Sequence, residues 1–208
     1  MQDARVSIAQ FLDAAAARQP APGGGAVAAL AGALAASMGE MVVDYSLGKK
    51  GLEAHTDQLK ELLGEFHRAR QMLTELMRED QLSFEQISAA KKLTKDSPQR
   101  AAAIAAAAQV SADVPAEVAA AAAAILDLCG RLMPIANSYL LSDLAVCTDL
   151  SMATVRCAIH NVRANLPDLG SDAARQKTVL LCDAVLSRAL RTVRIVSPKI
   201  AERQKELA

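Results

Sequence analysis

Two aspartates stand where apolar side chains are expected. Asp80 follows Leu76 by 4 residues, Leu73 by 7 and Phe66 by 14, so it points with a helical apolar stripe. Asp143 shares a second stripe with Tyr139, Val146, Leu150 and Ala153. A carboxylate facing a core is costly unless it is paired or hydrogen-bonded. Each acid is therefore either structural or functional. The structural form is a buried ion pair or an acid at the stripe's edge. The functional form lines a cleft between helices, where its proton affinity is tuned for proton transfer. Asp127 and Asp149 lie nearer polar flanks and read as solvated acids.

Lys49 and Lys50 close a helical segment. The helix dipole alone favours cations there. The same place offers an anion contact for a substrate carboxylate or a carbonyl oxygen. Pro22-Gly23-Gly24-Gly25 precedes another helix, whose free N–H groups could hold an anion. No Lys-Ser/Thr follows the glycines and no strand precedes them, so neither a P-loop nor a dinucleotide fingerprint is present. On physical grounds alone, close packing suits these glycines better. Other reactive groups are sparse. Cys129, Cys147, Cys157 and Cys182 form no CxxC pair and read as buried thiols of a reducing compartment. His55, His67 and His160 lie far apart, so no metal site is expected.

Helices must position these groups. The periodicity predicts a first helix over about Ala4 to Arg18, with Ile8, Phe11, Leu12 and Ala15 on one face. The proline-glycine run stops it. A second helix is expected over Ala26 to Leu47, with small residues recurring at Ala28, Gly32, Ala35, Ala36 and Gly39. That face lets another backbone come close, and could serve a dimer interface. A long third helix should cover Leu52 to Lys91, with Leu59, Leu62, Phe66, Leu73, Leu76, Asp80, Phe84 and Ile87 along one stripe. Pro98 to Arg131 is alanine-rich but keeps Ile104, Val110, Val118, Ile125 and Leu128 at helical spacing, with a break or kink at Pro115. Helices over Ser138 to Asn165 and Asp172 to Glu206 complete the chain, the last disturbed at Pro198. The expectation is one all-α domain over residues 1–208, an up-and-down bundle of about six helices.

Composition narrows the function. Lys+Arg and Asp+Glu are 23 each, so the chain lacks the basic excess of a nucleic-acid or membrane-surface binder. Aromatic residues are 2%, which argues against stacking on bases or sugars and against most all-β folds. The most apolar stretch, Ala26 to Val43, is mostly alanine and contains Glu40, so no membrane span is expected. The first residues lack a basic region followed by an apolar run. A cytoplasmic protein is expected.

The run Phe11 to Lys50, FLDAAAARQPAPGGGAVAALAGALAASMGEMVVDYSLGKK, closely resembles the opening of the cyclodeaminase/cyclohydrolase family. That family includes methenyltetrahydrofolate cyclohydrolases and the cyclodeaminase domain of formiminotransferase-cyclodeaminase. Further landmarks agree in order. Asp80 to Phe84 resembles the family's Asp-x-x-Ala-Phe, with Ser83 in place of Ala. Asp113-Val114-Pro115 resembles its Val-Pro turn, and Asn137 to Leu144 its Gly-Asn…Ser-Asp segment. Asn161-Val162 and Asn165-Leu166 resemble its Asn-Val…Asn-Leu. Ala26 stands where the family often has Ser.

The resemblance implies an all-α homodimer that binds a folate near the subunit interface. It implies a tetrahydrofolate derivative as substrate, with no permanently bound cofactor. The expected reaction is hydrolysis of 5,10-methenyltetrahydrofolate to the 10-formyl product. The alternative is cyclisation of 5-formiminotetrahydrofolate with loss of ammonia, and a second alternative is a non-catalytic pterin-binding or interaction module. The 208 residues carry no formiminotransferase domain, which favours hydrolysis at this stage. Asp80 is the expected base. Asp143 would bind the pterin or orient water, and Lys49 would contact the developing oxygen or the folate carboxylates. Gly23, Gly24, Gly25, Lys50, Asn137 and Ser142 are the expected substrate-binding residues.

Overall fold

A computed structural model describes residues 7–94 and 96–206, and among them no strand occurs. Six helices follow in order: α1 (Ile8–Ala16), α2 (Gly24–Asp44), α3 (Thr56–Lys92), α4 (Arg100–Leu132), α5 (Leu141–Asn165) and α6 (Asp172–Lys205). Short 3-10 turns join several of them. The expected start of the first helix at Ala4 lies outside the described residues. Within them, Ser7 caps α1, its hydroxyl accepting from Gln10 N–H in a reciprocal capping box.

The end signals moved some boundaries. Gly23 already has the extended backbone of an N-cap, so α2 begins at Gly24, inside the triglycine. It ends at Asp44, and Gly48 with φ +70° and Gly51 with φ +90° make the turn toward α3. Pro115 does not break α4, nor does Pro198 break α6. A proline inside a helix loses one backbone hydrogen bond and costs about 3 kcal/mol. Around Pro115 that cost is met by burial of Ala112, Val114, Val118 and Ala119 on both sides of it.

Helices α2 to α5 form the core. Each packs on its neighbour in sequence, and α5 closes the ring against α2. Helix α6 lies outside, on α4 and α5. Helix α1 buries none of its residues, and its Ile8 and Leu12 are exposed.

The seam between α2 and α3 has a fixed period. Gly39, Gly32 and Gly25 face Phe66, Leu73 and Asp80 respectively, seven residues apart on each helix and running in opposite directions. A Cβ on Gly39 would stand 2.2 Å from the Phe66 ring, and one on Gly32 3.1 Å from Leu73. A Cβ on Gly25 would stand 1.9 Å from Asp80 Oδ1. Three knobs of α3 thus sit on bare backbone of α2, and the third is a carboxylate. The small-residue face of α2 is used up inside the chain, because Ala28, Gly32, Ala35, Ala36 and Gly39 are all buried there. It does not supply the dimer interface that its composition suggested.

Two further expectations change. Helix α2 and residues 100–135 are long and apolar enough to cross a membrane by length and composition. Their apolar windows are 56% and 67% buried within the bundle, of which they are central members. Of the four free cysteines, Cys129, Cys147 and Cys182 are buried, but Cys157 is exposed. Cys129 and Cys147 lie 3.3 Å apart, sulfur to sulfur, between α4 and α5. The contact with Cys129, together with burial, pushes the Cys147 thiol well up, which makes it a poor nucleophile.

Candidate functional site

Asp80 lies two-thirds along α3, half-buried, with its carboxylate over the first turn of α2. The N–H of Ala26 donates to it. First-turn amides have no partner within their helix, and the dipole there favours an anion. Burial acts in the opposite direction and prevails, raising the Asp80 pKa above its ordinary value while the Ala26 N–H lowers it. A carboxyl moved upward in this way is better matched to exchanging protons near neutral pH. Asp80 is the out-of-place acid of the sequence, and its setting is a helix N-terminus with no ionic partner among the described residues.

The adjacent glycine meets a different group. A Cβ on Gly24 would stand 2.9 Å from Asn161 Oδ1 on α5. The Asn161 amide is oriented by its own helix, because Nδ2 donates to the Cys157 carbonyl at 2.9 Å. One turn on, Asn165 Nδ2 donates to the Asn161 carbonyl at 3.1 Å and to the Ser111 carbonyl at 2.6 Å. Ser83 Oγ donates to the Asp80 carbonyl at 2.9 Å. Ser111 Oγ in turn reaches the Ser83 carbonyl at 3.5 Å. Helices α3, α4 and α5 are thus tied together beneath the start of α2. Gly24 and Gly25 are required by close approach, whereas Gly23 has only ordinary space and serves as the cap.

The remaining expected residues gather at the other end of α2. Asn137 is buried, and its Nδ2 donates to the Tyr45 carbonyl at 2.9 Å. Its own N–H donates to Ser46 Oγ at 2.8 Å, and its Oδ1 accepts from Tyr139 N–H at 3.2 Å. That clamp fastens the start of α5 to the end of α2. Lys49 Nζ lies 4.8 Å from the centre of the Tyr139 ring, a cation–π contact. Beside it is an open cavity of about 350 Å³ lined by Ser138, Tyr139, Leu141, Ser142 and Gln204. Asp143 is half-buried in the first turn of α5, and Lys50 is exposed. Tyr139 and Val146 of its stripe are 80% and 46% exposed, so that stripe does not face the chain's own core. Asp127, expected to be solvated, instead accepts from Arg188 and from Thr192 Oγ1 at 3.0 Å.

Helix α2 has 21 residues, so its two ends are about 30 Å apart. The structure brings Asp80 together with Gly24 and Gly25. It brings Lys49 together with Asn137 and Ser142. It does not bring the two groups together within one chain.

Residues 7–183 match the family model described as formiminotransferase-cyclodeaminase. The chain belongs to the formiminotransferase-cyclodeaminase family. Mouse formimidoyltransferase-cyclodeaminase is 29% identical over 203 residues, which are 96% of this chain and 38% of the mouse protein. The chain thus spans well under half of that relative. The methenyltetrahydrofolate cyclohydrolase of Methylorubrum extorquens is 29% identical over 88% of this chain and 90% of its own length. The crystal structure of formiminotetrahydrofolate cyclodeaminase from Thermotoga maritima superposes with a TM-score of 0.87 at 25% identity, over 98% of each chain.

Asn161, Ser111 and Asn165 were not among the residues expected to form the site. The two asparagines stood out in the sequence only as landmarks of this family. Ala26, where the family often has Ser, contributes its backbone N–H to Asp80, which any residue there except proline can do.

Proposed function

We propose that the protein hydrolyses 5,10-methenyltetrahydrofolate to 10-formyltetrahydrofolate, with Asp80 as the proton-transfer group. The observation that carries this is the Asp80 carboxylate, held against the start of α2 with its proton affinity raised by burial. The methenyl carbon lies between two nitrogens that share a positive charge. A carboxylate beside it stabilises that cation. Water attacks the carbon and Asp80 takes a proton, giving a neutral carbinolamine. The bond to N5 then breaks, N5 takes the proton from Asp80, and the hydroxyl becomes the formyl carbonyl as its own proton leaves. One proton is released per turnover. Similarity to the M. extorquens cyclohydrolase along nearly all of both chains supports this reaction.

A second reaction has its own support, the close match to the T. maritima formiminotetrahydrofolate cyclodeaminase. There N10 attacks the formimino carbon and ammonia leaves with a proton. Both routes pass through a tetrahedral carbon between the same nitrogens, and one acid of raised pKa serves either.

The active unit in this proposal is a homodimer. Val27 and Leu34 of α2 are 45% and 49% exposed, seven residues apart on the face turned away from the core. Pairing this face with its copy about a two-fold axis sets the start of one α2 beside the end of the other. Asp80 of one protomer then shares a cleft with Lys49, Ser142 and Asp143 of its partner. In that cleft the lysines hold the folate carboxylates or the developing oxygen. Buried free thiols fit a reducing, cytoplasmic setting.

The test follows methenyl absorbance with purified protein against the spontaneous rate, with ammonia release from 5-formiminotetrahydrofolate measured in parallel. Accelerated methenyl loss that disappears in Asp80→Asn is the expected result. Ammonia release alone assigns the second reaction. Silence in both from folded protein refutes a folate one-carbon enzyme.

A further inference from the structure

We propose that the cavity at the C-terminal end of α2 is a pterin pocket, in which the Tyr139 ring stacks on the substrate's bicyclic ring and the Gln204 amide pairs with that ring's lactam edge. This rests on the reading of the chain as a folate enzyme. The cavity, about 350 Å³, is lined by Ser138, Tyr139, Leu141, Ser142 and Gln204. Small-molecule pockets run from about 300 to 1,000 Å³, so this one takes a single ring system and not a whole folate. Large aromatic groups are scarce here, with two tyrosines in the chain and no tryptophan. Both tyrosines are exposed, and both lie at this end of α2, because Asn137 donates to the Tyr45 carbonyl and accepts from the Tyr139 N–H. Lys49 stands over one face of the Tyr139 ring. With that residue 80% exposed, the opposite face is open to a flat ligand. An aromatic ring fixed at its backbone and left bare is a stacking platform.

The polar groups around the cavity divide into two sets. Asn137 and Arg203 are spent on the fold. Arg203 donates to the Met133 carbonyl and to the Ala136 carbonyl, the latter at 3.2 Å. That grip, with Val196 and Ile200 buried on the same helix, fixes the last turns of α6 against the segment before Asn137. It sets Gln204, the next residue, at the cavity. The side chains of Ser138, Ser142 and Gln204 have no hydrogen-bond partner among the described residues, so their capacity is free for a ligand. All three both donate and accept. The 2-amino-4-oxo edge of a pterin presents a carbonyl beside an N–H, and a primary amide answers both at once. The aminobenzoyl ring has no such edge. The glutamate carboxylates need cations, and the lining residues are all neutral. With the pterin held here, the one-carbon centre attached to it lies at the rim, where the proposed homodimer brings the partner's Asp80.

Isothermal titration of the full chain with folic acid, 6-hydroxymethylpterin and 4-aminobenzoylglutamate decides the matter, each variant being checked first for helical content and thermal midpoint. Tyr139→Ala should weaken folic acid and the pterin by about tenfold or more, as loss of a stacking ring does. Gln204→Ala should weaken both by about fivefold, the loss of hydrogen bonds made in the pocket. Tyr139→Phe keeps the ring and should bind both within about twofold of the parent. 4-Aminobenzoylglutamate should not respond to any of the three changes. Parental affinity in either alanine variant overturns the pterin pocket. So does an equal loss in Tyr139→Phe, a loss confined to 4-aminobenzoylglutamate, or a parent that binds no folic acid. The Asp80 assignment is judged by methenyl turnover in Asp80→Asn, so the two readings fail separately.

Discussion

The glycine seam allows the same substitution to be made twice with opposite consequences. In Gly25→Ala the new Cβ would lie 1.9 Å from Asp80 Oδ1, 2.4 Å from Cγ and 2.8 Å from Oδ2. Ordinary contact begins near 3.4 Å, so the carboxylate must retreat by about 1.5 Å. The atoms in the way are the far end of a half-buried side chain, free to swing toward solvent. A strained rotamer costs about 0.5–1.5 kcal/mol. Alanine repays a similar amount, about 1 kcal/mol, as the better helix former. Stability should therefore stay nearly constant. Catalysis should not, because a displacement of about 1 Å can cost a hundredfold in rate.

In Gly39→Ala the obstacle is the Phe66 ring, with three atoms within 2.7 Å and no exposure to solvent. That ring has nowhere to go. Overpacking at the upper end, about 3 kcal/mol, outweighs the helix gain and leaves a net loss of about 2 kcal/mol. For a chain of this size that lowers the thermal midpoint by about 4–8 °C. The assays are thermal unfolding followed by circular dichroism, and steady-state turnover well below the midpoint. Gly25→Ala should be stable and slow, and Gly39→Ala unstable and fast. Full turnover in Gly25→Ala, or equal losses of stability in both, would refute the separation of a catalytic contact from a packing contact along this seam.

Other outcomes follow from the same geometry. Asp80→Asn should raise the thermal midpoint at neutral pH while abolishing turnover. Because folding raises the Asp80 pKa, its contribution to stability is full below its ordinary value of 3.8 and is lost as the pH rises through the folded pKa. The variant's advantage should therefore vanish on acidification below that range, as unfolding curves across pH will show. Coexpressed Asp80→Asn and Lys49→Met chains should recover about a quarter of the parental activity, since half the dimers are mixed and each holds one intact site. If both residues serve a site within one protomer, the mixture stays inactive. Leu34→Asp puts a charge on the exposed face of α2. It should yield monomers by light scattering and lose turnover with its helical content unchanged.

What was legible in the sequence depended on whether one helix carried the signal. Asp80 stood out because a charge interrupted an apolar stripe that one helix defines by itself. The glycines of α2 stood out as small residues for the same reason. That Gly25 belongs to Asp80, as Gly39 belongs to Phe66, is a matter of register between two helices. No single-helix pattern encodes register. Asn161, a landmark of the family resemblance, was not marked as a site residue for the opposite reason: a polar residue on a partly solvated helix is unremarked until the helix opposite it is known. The stripe through Asp143 shows a third limit. Periodicity marks a face, and the exposure of Tyr139 and Val146 shows that this face turns outward from the chain's own core. Helix α1 poses the same question with Ile8 and Leu12. Only Asn137 and Ser142 were reached solely through family resemblance, and Asn137 spends its amide on holding α5 to the end of α2. The device that builds the fold and the device that presents the acid are one. A seven-residue repeat of bare backbone receives a ring, then a branched aliphatic chain, then a carboxylate. The first two knobs fix the register, and that register brings the third to the start of α2.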